Sequence, residues 1–453
     1  MNALLAVFAL GLAAGVSFLL PAEGPMALVF CAVAALGAGV LVSRAAGDER
    51  EWLLHLFVAA LLLRVAVGTA INFLGLQEFF GGDAITYDEI GVALSYSWQS
   101  NFYDPNLEQM LAPYMRRNWG MLYVVAAVYW VIGRNPLAIQ FFNAVVGAAT
   151  APIIYLCAKQ IFENVRVARA SALFVAFYPS LILWSAQGLK DGLIVFLLAV
   201  SMLLTLRLNE RLSMKYASIL VLALFALLTL RFYIFYMTLV AIVSGFLFGM
   251  QKQSTKGFLR QLVVVAVMGL GLTYLGVLRT AGVQLEYYGD LDKVQVSRAD
   301  LATRANSSYA ADVDVSTTAG ALSVIPVGMI YLLFAPFPWQ LANLRQLITL
   351  PEMLIWWASF PLLVTGLWFT LKFRLKQALP ILLFTAMLTL AYSIFQGNVG
   401  TAYRQRSQLL IFYFIFVSVG FILMRERKED KERARQEQAV ADRAAAAARR
   451  AAM

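Results

Sequence analysis

Cysteine and histidine are almost absent from this chain of 453 residues, which contains two cysteines and one histidine. Cys31 and Cys157 lie in separate apolar segments. They predict neither a disulfide framework nor a zinc site, and we interpret both as small buried hydrophobic residues. His55 lies at the loop end of its apolar segment, which favours an interfacial position over a catalytic one. The sequence contains no ligand spacing typical of a metal site.

Charged residues are also few, at 14% of the chain against 61% hydrophobic residues, and the mean hydropathy is +0.73. No soluble domain needs so much apolar sequence, and segments of about 20 apolar residues recur from end to end. The sequence therefore predicts an all-α polytopic membrane protein. The formal charge is +10, but no basic patch is interleaved with aromatic residues, so nucleic acid is not indicated as a partner.

Hydropathy and the placement of charge predict about twelve membrane spans, with both termini in the cytoplasm. The spans are predicted at about 2–20, 25–43, 52–74, 137–157, 169–185, 189–206, 261–278, 350–371, 378–395 and 407–424, with 216–250 forming two more that meet at Arg231. Residues 1–424 form the membrane-embedded domain, and 425–453 form a charged cytoplasmic tail.

Two apolar segments are predicted to lie on the outer interface or dip into it instead of crossing. Residues 119–133 are short for a span, and if they crossed, the basic loop after residue 157 would lie outside. The same reasoning applies to 322–349, where Pro336 and Pro338 would break a spanning helix. The outer face then carries a first loop at 75–118 and a second at 279–349, which includes this interfacial segment.

The first outer loop holds the candidate catalytic residues. Asp83 follows two glycines, which permit a close approach of backbone to ligand. Tyr87 lies four residues later, on the same face of a helix that starts near Asp83. A carboxylate within reach of an acceptor hydroxyl or amine can act as a general base, and Asp83, Asp88 and Glu89 are the candidates. The alternative for Asp83 is that it only caps the helix.

Basic residues on the predicted outer face run against the usual charge bias of membrane proteins. They are Arg116, Arg117, Lys190, Arg231, Arg404 and Arg406. Because arginine binds phosphate through a two-pronged contact, an anionic lipid headgroup would explain why acids and arginines converge on one face. We therefore assign substrate binding to the last four of these residues. The alternative is snorkelling, or salt bridges to the loop acids. Asp191 either caps the span that it begins or lines the site.

The order of these motifs resembles that of the GT-C superfamily of integral membrane glycosyltransferases, which includes protein mannosyltransferases and lipid A aminoarabinose transferases. Asp83 with Tyr87 resembles the acidic residue and tyrosine of the family's first large outer loop. The segment 119–133, followed by 136–144, resembles its juxtamembrane helix and next span. Tyr403-Arg404-Gln405-Arg406 resembles its late arginine pair. The Asp-Glu pair common in the family is Asp83-Ala84 here.

This resemblance implies a GT-C-like bundle with juxtamembrane helices on its outer face. It also implies an inverting transfer of a sugar from a polyprenyl-phosphate donor to a lipid, glycan or protein acceptor of the cell envelope. The reaction would take place at the periplasmic or extracellular face of a bacterial cytoplasmic membrane. Asp83 would deprotonate or orient the acceptor, Tyr87 and Tyr403 would contact substrate, and the arginines would stabilise the leaving lipid phosphate. Some members of the superfamily use a divalent metal.

Two other functions stay open from the sequence. An envelope polysaccharide polymerase or ligase, fed by polyprenyl-diphosphate-linked glycans, needs basic residues on both large loops. The second loop contains Arg279, Lys293, Arg298 and Arg304. A transporter needs paired charges near the bilayer midplane and repeated halves. It is less consistent with this chain, which shows no internal repeat and whose charges cluster at the predicted outer rim.

Overall fold

The chain folds into a helical bundle in the computed structural model, which describes residues 3–100, 105–115, 118–248, 255–277, 281–282, 284, 290–303, 307–310, 312–341 and 344–451. This part of the chain contains nineteen α-helices and no strands. The helices are α1 (Ala3–Leu19), α2 (Gly24–Ala45), α3 (Arg50–Phe73), α4 (Gln77–Gly81), α5 (Asp83–Ser100), α6 (Pro105–Met115), α7 (Gly120–Ile132), α8 (Pro136–Phe162), α9 (Val165–Phe177), α10 (Pro179–Ser185), α11 (Lys190–Glu210), α12 (Met214–Leu230), α13 (Phe232–Phe248), α14 (Thr255–Tyr274), α15 (Leu291–Thr303), α16 (Thr318–Phe334), α17 (Leu344–Phe373), α18 (Leu375–Phe395) and α19 (Val399–Ala451).

The lengths and composition of these helices match a protein that crosses a membrane many times. Among the described residues, seven helices are long and apolar enough to span, and an eighth is obtained if the bent pair α9–α10 counts as one span. The predicted spans at 2–20, 216–250 and 261–278 correspond to the shorter apolar helices α1, α12, α13 and α14. The all-α polytopic membrane fold predicted from the sequence is confirmed.

The two ends of the bundle differ in charge. Three ion pairs join the basic segments at one end: Arg169–Glu49 at 2.8 Å, Arg374–Glu163 at 3.4 Å and Arg166–Glu429 at 3.1 Å. These pairs link the segments that the charge pattern predicts to be cytoplasmic, so those segments share one end of the bundle, called the basic end below. The residues of the two predicted outer loops lie at the opposite end, called the loop end.

The two apolar segments that are predicted not to cross pack against neighbouring helices at the loop end. Helix α7 packs along α5, and Gly120 at its start lies against Thr229 at the end of α12. Gly328 in α16 lies against the backbone of Ser393, near the end of α18. That these two segments lie on the interface or dip into it stays a prediction. Helix α17 begins at Leu344, a few residues before the predicted span.

A proline breaks the span formed by α9 and α10, whose axes differ by 55°. Pro179 has no N–H, so the carbonyl of Val175 loses its helical partner. Arg64, which is 1% exposed, supplies the missing donor: its Nη2 lies 3.3 Å from Val175 O, and its Nη1 lies 2.8 Å from Ala176 O. Arg64 therefore caps the broken helix from a neighbouring span.

A second break ends α16 at Phe334, immediately before the segment with two prolines, as the sequence predicts. The same loss of backbone donors occurs here. The carbonyl of Leu332 accepts from Arg406 Nε at 2.6 Å, and the carbonyl of Phe334 accepts from Trp357 Nε1 at 3.1 Å. The carbonyl of Ala335 accepts from Arg406 Nη2. Side chains from α17 and α19 thus satisfy the end of α16.

Candidate functional site

Asp83 is the first residue of α5, at the loop end of the bundle. Its carboxylate is about half exposed, and its Oδ2 accepts from Arg404 Nη1 at 2.9 Å. Gly81 explains part of this placement, because a Cβ there would lie 3.2 Å from Leu189 Cδ1 and 3.9 Å from Arg404 Nη1. Neither glycine before Asp83 has a positive φ. The glycine at 81 therefore serves close packing, which brings Asp83 next to α11 and α19.

Arg404 joins Asp83 to a second carboxylate, that of Asp191. Arg404 Nε and Nη2 lie 2.9 Å and 2.6 Å from Asp191 Oδ2. Asp191 is fully buried in the first turn of α11, and its Oδ1 lies 3.7 Å from Arg231 Nη2. A buried carboxylate is stable only when paired and hydrogen-bonded, and here the positive end of a helix adds to two arginines. Asp191 is thus part of the charged cluster.

Five ionisable residues form this cluster: Asp83, Lys190, Asp191, Arg231 and Arg404. Lys190 is 7% exposed and Arg231 is 8% exposed, so only Asp83 is open to solvent to a large extent. Arg231 lies at the break between α12 and α13, with its guanidinium 5.8 Å from the ring centre of Tyr233. The cluster thus contains three basic and two acidic side chains.

A cavity of about 690 Å³ opens beside Arg404. Its wall is mainly apolar and includes Phe79, Phe80, Leu183, Trp184, Leu344, Ile348 and Tyr403. Arg345, at the start of α17, also lines it, with its guanidinium 4.8 Å from the ring centre of Phe79. We call it the first cavity. It combines an apolar wall with two arginines.

Arg345 was not among the site residues predicted from the sequence, although its position could have indicated it. The predicted topology places 322–349 on the outer face, so Arg345 is another basic residue that runs against the charge bias. Glu352 was missed as well, because a carboxylate in an apolar helix gives no indication of its partner. It is 4% exposed, and its Oε2 accepts from Tyr403 Oη at 2.8 Å. This bond fixes Tyr403 in the wall of the first cavity.

The second outer loop also reaches this cavity. Val399 N donates to Ser307 O at 3.1 Å, and Tyr309 N donates to Gly397 O at 3.0 Å. The buried Arg298 of α15 donates to the carbonyls of Tyr309 and Gln396. The segment 307–310 is therefore fixed to the start of α19, and Ser307 lines the first cavity.

A second cavity of about 260 Å³ lies on the other side of the turn that carries Asp83. Tyr87 and Asp88 line it. The carboxylate of Asp88 accepts from Tyr129 Oη at 2.6 Å and from Arg134 Nη2 at 2.6 Å. Burial, with the charges of Asp83 and Asp191 nearby, raises the pKa of the Tyr87 phenol well above its ordinary value, so it remains a hydrogen-bond donor.

The structure thus separates the predicted site residues into groups. Asp83, Lys190, Asp191, Arg231 and Arg404 come together, Tyr403 lines the first cavity, and Tyr87 and Asp88 line the second. Glu89 is exposed, and the buried Arg406 directs its donors to the break after α16. Arg116, Arg117, Arg279 and Arg304 lie outside the described residues.

Some members of the superfamily that this chain resembles use a divalent metal. The described residues offer no evident set of ligands for one. They contain no group of three or more His, Cys, Asp and Glu side chains that could hold a metal ion. Asp83 and Asp191 are instead linked through the guanidinium of Arg404. We therefore assign no step of the reaction to a metal.

Part of the chain matches a family of known proteins. Residues 119–275 match the family model described as dolichyl-phosphate-mannose-protein mannosyltransferase. The match supports a membrane glycosyltransferase of the GT-C superfamily, as the sequence motifs indicate. It covers less than half of the chain and includes Lys190, Asp191 and Arg231, while Asp83 and Arg404 lie outside it. No curated protein matches the sequence.

Proposed function

We propose that this protein transfers a sugar from a polyprenyl-phosphate donor to an acceptor of the cell envelope. The observation that carries the proposal is the guanidinium of Arg404, which joins the half-exposed Asp83 to the buried Asp191 at the wall of the first cavity. A general base and a phosphate-binding cation thereby lie side by side, at the mouth of an apolar cavity.

The first cavity has the chemistry of the donor. A polyprenyl chain needs apolar surface, and its phosphate needs cations, which Arg404 and Arg345 supply. A guanidinium has five N–H groups. Arg404 uses three of them on the two carboxylates, which leaves one on Nη1 and one on Nη2 for phosphate oxygens.

The proposed reaction is a single displacement with inversion. Asp83 accepts the proton of the acceptor hydroxyl or amine, whose oxygen or nitrogen attacks the anomeric carbon. The bond between that carbon and the phosphate oxygen breaks, and its electron pair stays on the phosphate, which leaves as polyprenyl phosphate. The leaving group gains negative charge, so Arg404 and Arg345 bind it more strongly than they bind the donor. Interactions that strengthen in this way lower the barrier.

The side of the membrane follows from charge. The basic end of the bundle carries Arg166, Arg169, Arg374 and the start of the tail. By the positive-inside rule this end lies in the cytoplasm, together with both termini. The two cavities then face the periplasm or the cell exterior of a bacterial cytoplasmic membrane, where envelope acceptors are assembled.

Mass spectrometry of envelope lipids tests the proposal in a bacterial host that lacks the native gene and carries wild type or Asp83→Asn. Asn cannot take the acceptor proton, so a polyprenyl-phosphate-linked monosaccharide should accumulate with the variant. Glu89→Gln is the matched control, because Glu89 is an exposed carboxylate on the same helix. It should behave as wild type.

Two other results would change the conclusion. Two arginines in one cavity also suit a diphosphate, so accumulation of a diphosphate-linked oligosaccharide would indicate a polymerase or ligase. If Asp83→Asn gives the same lipids and glycans as wild type, with both proteins expressed and folded, the proposed role of Asp83 is wrong.

A further inference from the structure

The second cavity is a suitable place for the other substrate, because the turn that carries Asp83 separates it from the first. Gly81, two residues before Asp83, lines the first cavity, and Ala84, the next residue, lines the second. The second cavity has about 260 Å³, which is smaller than the pockets that hold drug-sized ligands and suits a single small group. The size of the cavity does not identify the group that binds there, but the polar atoms that line it do.

Three of the polar side chains that line the second cavity carry acceptor oxygens, while the Tyr87 phenol is a donor. The carboxylates of Glu78 and Asp88 line the cavity, and so does the amide of Gln140. Gln140 is 2% exposed, and its Oε1 has no hydrogen-bond partner among the described residues. The Tyr129 hydroxyl also lines the cavity, but it donates to Asp88. A buried oxygen without a donor is unfavourable, and a ligand O–H or N–H would remove this cost.

The charge that lines the second cavity is negative. Glu78 is an exposed carboxylate in its lining, whereas Asp83, beside the lining residue Ala84, is paired with Arg404. Arg134 contacts Asp88 through two of its nitrogen atoms, and this bond raises the pKa of the guanidinium, so the pair is internally neutral. A phosphate or carboxylate entering here would meet like charge, in contrast to the first cavity with its two arginines.

We propose that the second cavity binds the acceptor, and that it selects a hydroxyl- or amine-bearing group without negative charge. This inference rests on the proposed function, because it takes the donor to occupy the first cavity. It narrows the reacting part of the acceptor to a hydroxyl- or amine-bearing group without negative charge, such as that of a neutral sugar or an amino sugar. Acceptors that present a phosphate or a uronic acid at that position would be rejected.

Saturation-transfer NMR on the full chain in lipid nanodiscs, without donor, tests this selectivity. The probes are methyl α-glucoside, its 6-amino-6-deoxy analogue and its 6-phosphate. Wild type should bind the neutral and amino probes and bind the phosphate probe more weakly, by about fivefold for one unfavourable charge contact in a water-like dielectric. Glu78→Lys should reverse the order of the amino and phosphate probes. Gln140→Leu should weaken the binding of all three.

Glu89→Lys is the matched control, since it makes the same charge change on an exposed residue that does not line the cavity. The order of the probes should stay as in wild type. An equal shift in both lysine variants would overturn the proposal, because the effect would then be one of general surface charge. An unchanged order in Glu78→Lys would also overturn it, and so would the absence of binding by every probe to wild type.

These outcomes are separable from those of the proposed function. Probe binding is measured without donor, so it can follow the expected order even if Asp83→Asn causes no accumulation of donor. In that case only the proposed transfer is wrong. If Asp83→Asn does accumulate donor while Glu78→Lys leaves the probe order unchanged, only the assignment of the acceptor is wrong.

Discussion

Replacement of Arg404 by lysine tests whether the geometry of the guanidinium, and not only its charge, is needed. Arg404 donates through three different nitrogen atoms to two carboxylates that come from α5 and α11. Lysine has one nitrogen at the end of a flexible chain and cannot copy this planar fork. It can reach Asp191 or Asp83, and it leaves the other contacts unmade.

The expected size of the effect follows from these contacts. Lysine retains one of the three hydrogen bonds, and a hydrogen bond to a charged group contributes about 1.5–3 kcal/mol. The loss of two such bonds is about 3 kcal/mol at the lower limit. If the bonds hold Arg404 where the leaving phosphate needs it, this loss corresponds to a decrease of about 100-fold in the rate of transfer.

The assay is the transfer rate of purified Arg404→Lys and Arg404→Ala, together with thermal unfolding in detergent. Arg404→Lys should fall close to Arg404→Ala in rate. Its unfolding temperature should be lower than that of wild type, because the lysine leaves unmade at least one of the two bonds that Arg404 donates to the buried Asp191, whose other arginine, Arg231, lies at 3.7 Å. This prediction is refuted if the transfer rate of Arg404→Lys is within about threefold of wild type while Arg404→Ala is inactive. Positive charge alone would then be sufficient, and the planar guanidinium would not be required.

Three further substitutions test neighbouring features. Arg345→Ala should raise the KM for a lipid-linked donor about tenfold with a smaller change in kcat, because it removes one phosphate-binding cation and leaves the base in place; steady-state kinetics measure this. Arg406→Leu should destabilise the fold by about 2–4 kcal/mol, visible as a lower unfolding temperature, because buried carbonyls lose their donors; donor affinity in the folded fraction should not change. Gly81→Val should reduce transfer more than it reduces stability, because a Cβ there already lies 3.2 Å from Leu189 and would move Asp83 away from Arg404; unchanged transfer would contradict the close-packing role of Gly81.

Three buried arginines of this protein donate hydrogen bonds to backbone carbonyls where helices break or end. Arg64 caps the break after α9, Arg406 caps the break after α16, and Arg298 binds the end of α18 and the segment at 309–310. Each is at most 2% exposed. Unpaired carbonyls are costly away from water, so a broken helix in a membrane protein needs such donors. An arginine in an apolar helix is therefore not by itself evidence of a substrate site.

The sequence by itself determined the class of fold and which loops share one end of the bundle. Both are local properties: apolar length defines a span, and the placement of lysine and arginine defines a side. The ion pairs at the basic end show that the basic segments lie together. That 119–133 does not cross, which follows from the same requirement, stays a prediction. A helix that starts near Asp83 was likewise expected from the sequence, and α5 begins at that residue.

Only the tertiary structure decided which charged residues meet. Arg404 and Arg406 are equivalent in sequence terms, but two residues on a helix differ by about 200° in direction. One therefore faces the carboxylates at the first cavity, and the other faces the broken end of α16. Asp83 and Asp88 separate in a similar way on α5. Contacts between side chains far apart in sequence depend on how the helices pack, which neither hydropathy nor charge along the chain encodes.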